Sequence, residues 1–354
     1  MQSVSRSVMP WLVVLAVQSS AAWAGRDGVD YIVDADTLVY GGSYLWARTQ
    51  NPDDVHTLYV ERLSTHAREL LHRSEGGMSD IQAAPKGSLV AVLTEVLEAN
   101  VGPQRASYVG RRVNEKGEVV ESYYFEESKL ILLDVDGMVV GSVTGVRRYA
   151  WDPTGTRVAY ITGDYREEGI GFEPTGTWIY DVSSKQAQRI HSGGRDVQWA
   201  GWDGNVYVYD PSNQNDSKSK VFRYDNQTGE LAPSARKGIY FSPDGSYYYA
   251  AGYGGADLRV FKTLDDEPVR VDLSTPSDPK RVAHYAAGWL DDATLIVPPA
   301  AASDAGDYLY DIKTGGIRSI AGRVLPQKSR SNRALVQQGA SVVERSLGDF
   351  ATLK

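Results

Sequence analysis

The stretch Tyr240–Gly254, YFSPDGSYYYAAGYG, sets a Pro-Asp-Gly turn beside a run of tyrosines. Taken alone it is either an aromatic ligand platform or one copy of a structural unit. Two other segments decide the matter: APKGSLVAV from Ala84 and DPTGTRVAY from Asp152 align with SPDGSYYYA from Ser242 without a gap. In each, Pro fixes φ for a turn, Gly takes its left-handed position, and Ser or Thr opens a run that alternates with period two. The repeated object is therefore a turn entering a half-buried strand. Neighbouring strand residues point to opposite sides, so Tyr247, Tyr248 and Tyr249 do not make one stacking surface.

Weaker copies begin at Asp34 (DADTLVYG), Gly201 (GWDGNVYVY), Leu290 (LDDATLIV) and Arg330 (RSNRALVQ), with Asp or Asn replacing the Pro-Gly pair. The pivots Asp36, Gly87, Gly155, Gly204, Gly245, Asp292 and Asn332 lie 51, 68, 49, 41, 47 and 40 positions apart. Downstream in every unit comes an apolar strand closed by a tight acidic or glycine turn: LYVERLSTH from Leu58, LILLDVDGM from Leu130, WIYDVSSKQ from Trp178, VFRYDNQTGE from Val221, LRVFKTLDDE from Leu258, LYDIKTGG from Leu309 and SVVERSLGD from Ser341. Two agreeing registers with a period of about 45 residues predict an all-β propeller of seven blades, six being the alternative count, with four short antiparallel strands in each. The seventh unit, from about Arg323, has the weakest strands, and Arg26 to Asp30 are a candidate strand to pair with it.

This double pattern resembles the TolB-type, WD40-like propeller family, in which an SPDG turn and strand precede a strand ending in an Asp-x-x-(x)-Gly turn. The likeness runs over nearly all of the chain after the leader. It implies a fold more than an activity, because such repeats build periplasmic binding proteins, gating propellers of oligopeptidases and some polysaccharide lyases. The reading expects neither the α/β domain that precedes the TolB propeller nor a hydrolase domain after the repeats.

The first residues carry Arg6, an apolar stretch from Trp11 to Val17 and the small residues Ala22 and Ala24, the layout of a secretory leader cleaved after Ala24. The expected organisation is a leader over 1–24 and one propeller domain over 25–354, exported to a bacterial periplasm or secreted. The apolar stretch is too short to span a bilayer. The chain has 0 Cys in 354 residues, so neither disulfides nor a lipid-modified Cys enter the account. A net charge of -8 disfavours general nucleic-acid binding.

In a propeller blade with strands a to d, the a–b and c–d turns share one face and the b–c and d–a loops the other. Both repeated turns are tight; the b–c connections are extended near 98–124, 164–176, 211–218 and 298–307. Insertions confined to one face of a repeat fold mark a binding face. The longest reads as a protruding hairpin around NEKGE, and its Arg111, Arg112 and Tyr123 suit a protein contact. The next holds the adjacent acids Glu167 and Glu168. Residues leading into the inner strands, among them Asp80, Arg147, Asp196, Lys237 and His284, are expected to ring the channel mouth and to bind a peptide or other polar ligand there.

No nucleophile elbow or phosphate loop is present. His66, Glu69 and His72 do not share a face in either helix or strand, so no metal or cofactor is expected. The sequence thus reads as a non-enzymatic, exported propeller with a protein or peptide partner. The alternatives are a carbohydrate-active lyase or hydrolase working at the channel mouth through His284, or an accessory propeller for a separate peptidase.

Overall fold

The computed structural model describes residues 29–31, 37–42, 49–62, 64–99, 104, 108–113, 117–165, 172–210, 220–250, 258–273, 288–298, 306–320, 322–325, 333–338 and 341–346. They form a β-propeller. Blade 1 comprises β1 (Val29–Tyr31), β2 (Thr37–Gly41), β3 (Thr57–Arg62) and β4 (Ala67–Arg73). Blade 2 comprises β5 (Gly77–Ala83), β6 (Val90–Ala99), β7 (Tyr108–Val113), β8 (Val119–Leu133) and β9 (Val139–Thr144). Blade 3 holds β10 (Val146–Trp151), β11 (Arg157–Tyr165), β12 (Phe172–Asp181) and β13 (Gln186–His191); blade 4 holds β14 (Asp196–Trp199), β15 (Val206–Asp210), β16 (Lys220–Tyr224) and β17 (Leu231–Ser234). Blade 5 holds β18 (Tyr240–Phe241), β19 (Tyr247–Ala250), β20 (Arg259–Lys262) and β21 (Pro268–Val269); blade 6 holds β22 (Gly288–Trp289), β23 (Thr294–Val297), β24 (Tyr308–Asp311) and β25 (Ile317–Ser319). A seventh sheet has three strands among the described residues, β26 (Arg323–Leu325), β27 (Arg333–Gln338) and β28 (Ser341–Ser346).

Six blades are thus complete with four antiparallel strands, blade 2 carrying β7 as an addition along β8. Pairing of Arg26–Asp30 with the seventh unit does not occur for the described part of that segment. Val29 and Asp30 lie opposite Tyr40 and Val39 as the inner strand of blade 1. The reason is local: Asp30 is 1% exposed, and its carboxylate accepts the backbone N–H of Ala83 at 2.8 Å, which ties β1 to the inner strand of blade 2.

Period-two alternation puts one apolar row of each blade against the next blade, so the cores lie between blades. Val39 and Leu58 of blade 1 meet Ile81, Val92 and Ile131 of blade 2. Leu93, Leu130 and Leu132 of blade 2 meet Tyr149, Trp151 and Tyr160 of blade 3, and the pattern recurs between blades 3 and 4 and between blades 5 and 6. Aromatic side chains add directional links. Trp151 donates its indole N–H to Gln82 O (3.2 Å), Trp289 donates to Tyr240 O (3.0 Å), and Tyr149 donates to Ala91 O (3.0 Å). Each satisfies a buried polar group while spanning a seam.

The repeated turns take the conformation their residues dictate. Gly87, Gly155, Gly204 and Gly245 have φ of 88°, 73°, 71° and 74° in the a–b turns. The six c–d turns also place one residue each in the left-handed region: Gly137, Gly229 and Gly315, but His66, Lys185 and Asp266 in the other three. An acidic side chain at the head of several of these turns binds their amides. Asp225 accepts from Gln227 N and Thr228 N, both at 3.0 Å, and Asp311 accepts from Thr314 N at 2.8 Å. These bonds hold the Asp225 carboxyl below its ordinary pKa.

Candidate functional site

The two faces differ. On the a–b and c–d face each connection among the described residues is a compact turn. On the other, blades 2 and 3 lengthen their b and c strands: β6 and β8 span 10 and 15 residues and β11 and β12 span 9 and 10, against 4 or 5 for their counterparts in blades 4 to 6. The blade 2 insert is the hairpin that alternation around NEKGE predicts, with Val113 opposite Val119 and Arg111 opposite Glu121. Tyr124 pairs with Ala99 in one ladder and with Tyr108 in the other, so β6 and β7 occupy opposite edges of β8. Val113 and Val119, 68% and 65% exposed, make an apolar pair on the hairpin. In blade 3, Asp164 pairs with Glu173 and Tyr165 with Phe172, which carries that ladder outward on the same face.

Where the two extensions leave the propeller, the apolar row of blade 2 becomes polar. Ala91 and Leu93 on β6 and Leu130 and Leu132 on β8 belong to the core against blade 3; the next positions of the same rows are Glu95, Ser128 and Glu126. Arg147 comes in from blade 3. It is the extra residue of a bulge in the β10–β11 ladder, between Val146 and Arg148. Its Nε donates to Gly163 O at 2.9 Å, and its Nη1 donates to the Glu126 carboxylate. The guanidinium and this carboxylate are only 8% and 4% exposed, so Arg147 braces the root of one extension against the root of the other. Burial pushes the Glu126 carboxyl up to about 7; Arg147 opposes that rise, and the neighbouring charges of Glu95 and Asp164 add to it. Burial raises Glu95 as well, against Arg147 and Arg148.

The other residues singled out from sequence fall as follows. Asp80 is not a strand leader but a bulge residue within β5, at φ 44°, and its carboxylate accepts from Gln82 Nε2 at 3.0 Å. Asp196 opens β14, and its carboxylate accepts from its neighbour's Val197 N at 2.8 Å and from the Tyr240 hydroxyl of blade 5. Lys237 is exposed, with Nζ 4.9 Å from the centre of the Phe261 ring. Arg111, Arg112 and Tyr123 lie on the hairpin strands β7 and β8. His284, Glu167 and Glu168 are outside the described residues. His66 and Glu61 pair at 3.0 Å across the c–d turn of blade 1.

Sequence reasoning passed over Glu95, Glu126 and Ser128. The available signal was an acid falling on the core-facing parity of a strand. It also passed over His191, whose Nε2 lies 2.9 Å from Asp210 Oδ2 and whose ring packs on Phe222, 4.6 Å between centroids. That pair joins the end of blade 3 to the start of the 211–219 connection of blade 4. A pocket of about 240 Å³ opens on the opposite, tight-turn face between blades 3 and 4, lined among others by Arg157, Trp199, Asn205 and Asn226. Arg157 already uses its guanidinium there on Asn226 Oδ1 (2.8 Å) and over the Trp199 ring.

No family model matches the sequence. No curated protein matches it either. Solved structures do. The β-propeller domain of the trilobed protease from Pyrococcus furiosus, described as having an open velcro topology, is 12% identical over 91% of each chain with a TM-score of 0.50. Oligogalacturonate lyase from Vibrio parahaemolyticus is 13% identical over 89% of this chain and 86% of its own, with a TM-score of 0.53. TolB from Acinetobacter baumannii is 13% identical over 90% of this chain and 70% of its own, with a TM-score of 0.42. At such identities the likeness is one of fold, and what stands of the TolB-type resemblance is the β-propeller itself.

Proposed function

We propose that this protein is an exported, periplasmic propeller that binds a protein or peptide on its b–c face. The observation that carries the reading is the pair of adjacent extensions from blades 2 and 3, raised on the one face whose loops vary. Loop insertions are tolerated anywhere on a surface. Here they are built as continuous ladders braced at the root by a buried Arg147, which is more than tolerance requires. The exposed Val113–Val119 pair supplies apolar contact, while Arg111, Arg112 and Tyr123 on the same hairpin supply residue types that anchor interfaces. Asp80, Asp196, Lys237 and His284 are proposed as contacts at the channel mouth, Arg147 as a support beneath it, and Glu167 and Glu168 as contacts on the blade 3 insert. The leader over 1–24, ahead of one propeller domain over 25–354, supports an envelope location.

The test is a quantitative capture from the native envelope fraction with three forms of the chain: wild type, Val113→Asp with Val119→Asp, and Lys185→Glu on the opposite face. The reading expects one defined partner to be lost from the double variant and kept by the Lys185 variant. Equal recovery by all three would remove its support.

A further inference from the structure

We propose that Glu95, Glu126 and Arg147 form a proton-operated latch between the two extensions. In this device the uptake of one proton holds the blade 2 hairpin root against blade 3, and its release loosens that root. The regulatory consequence rests on the binding face proposed above; the latch itself is a property of the chain alone.

The geometry sets the charge balance. The charged groups converging on the site are Glu95 from β6, Glu126 from β8, Arg147 and Arg148 from β10 and Asp164 from β11. With all ionised, three carboxylates face two guanidiniums; Arg148 and Asp164 are exposed and offset one another, which leaves Glu95 and Glu126 against Arg147 alone in the buried part. Glu127 and Lys129, the neighbouring charges on β8, alternate with Glu126 and Ser128, so they lie on the strand's other face and are of opposite sign. Arg147 is committed on both sides, to Glu126 and to the Gly163 carbonyl, and at 8% exposure water does little to screen the excess negative charge.

A second, independent feature points into the same seam. Ser128 is 2% exposed and lies directly opposite Glu95 in the β6–β8 ladder. Among the described residues its hydroxyl has no hydrogen-bond partner. A protonated Glu95 or Glu126 carboxyl is a donor that this oxygen can accept, and a buried hydroxyl without a partner is otherwise unfavourable. Proton uptake therefore removes the excess charge and supplies the missing donor in one event. The backbone beside it is linked: Ser128 O accepts from Gly145 N (2.7 Å) and Gly145 O accepts from Gly163 N (3.1 Å), so a displacement of β8 at Ser128 passes directly to the root of the blade 3 extension. Loss of the proton restores repulsion among Glu95, Glu126 and Asp164 at the point where the two roots meet.

The experiment is amide hydrogen exchange on the mature chain without any partner, from pH 5.5 to 8.5, corrected for the intrinsic pH dependence of exchange. In wild type, protection of 108–113 and 119–128 should fall on the order of tenfold as pH rises, while β19 and β23 stay level. Glu126→Gln, which cannot ionise, should keep the low-pH protection throughout, and Glu95→Gln, which removes a negative charge that raises Glu126, should shift the midpoint downward. A wild-type hairpin whose protection ignores pH, or a Glu126→Gln chain that keeps the wild-type profile, would overturn the latch. Should Glu126→Gln fail to fold, an unshifted midpoint in Glu95→Gln overturns it equally. Since no partner takes part, a working latch with no envelope partner would sink only the binding reading.

Discussion

Alanine substitutions at the four glycines of the a–b turns separate two reasons for glycine that are usually confounded. Gly87, Gly155, Gly204 and Gly245 all have φ between 71° and 88°, so Ala at any of them adopts the left-handed region at a cost of about 1–2 kcal/mol, partly offset by a stiffer unfolded chain. The surroundings then divide the four. A Cβ on Gly87 or Gly204 meets nothing within 4 Å; on Gly155 it falls 2.1 Å from the carbonyl oxygen of Lys86 in the preceding turn, and on Gly245 2.1 Å from Cγ of Trp202. Relief of such a clash costs a further ~1–3 kcal/mol. The obstacle at Gly155 is backbone, whereas Trp202 is 41% exposed and has room to swing. Chemical denaturation at one pH should therefore give losses of about 1 kcal/mol for Gly87→Ala and Gly204→Ala, about 3 for Gly155→Ala, and a value between for Gly245→Ala. Equal losses at all four would refute the interlocking of neighbouring turns and leave only the backbone conformation.

Lys185 is exposed and left-handed at φ 57°, so Lys185→Gly should raise stability by about 0.5–1 kcal/mol in the same assay. Asp30→Ala leaves the buried Ala83 N–H without its acceptor and should lower stability by roughly 2 kcal/mol. Asp53→Ala, which breaks only an exposed 3.7 Å pair with Arg73, should change it by less than about 0.5 kcal/mol. The Glu126 pKa, raised from 4.5 to about 7, makes the folded state the better proton binder between those values. Stability from this group is full below pH 4.5 and is lost as pH rises to 7, by roughly 3 kcal/mol at about 1.4 kcal/mol per unit. Glu126→Gln should remove that slope from a series of denaturation curves; a variant that keeps it would show that another group titrates.

The propeller was legible because its signal is local and repeated. A turn glycine and the alternation after it are consequences of backbone sterics within nine residues, and seven copies reinforce one another. The blade 2 hairpin was legible for the same reason. What escaped depends on packing between blades: Arg147 looked like a channel-mouth cation, but a bulge in β10 turns it into the seam, where it meets acids some 20 and 50 residues away in the chain. Asp80 shifts for the same cause, a bulge in β5 that no turn signal announces. His191, solitary in RIHSGG, acquires its Asp210 partner only because blades 3 and 4 stack. Three left-handed c–d residues that are not glycine show that the fold imposes the turn where local preference alone would not.

The binding face is tested most directly by placing a photo-crosslinking amino acid at Val113 and Val119 on the hairpin and, separately, at Lys185 and Thr314 on the tight-turn face, in cells making the chain at native level. A single discrete adduct from both hairpin positions, with none from the opposite face, is the predicted result. Adducts from Lys185 and Thr314 with none from the hairpin would contradict it and move the search for function to the other side of the propeller.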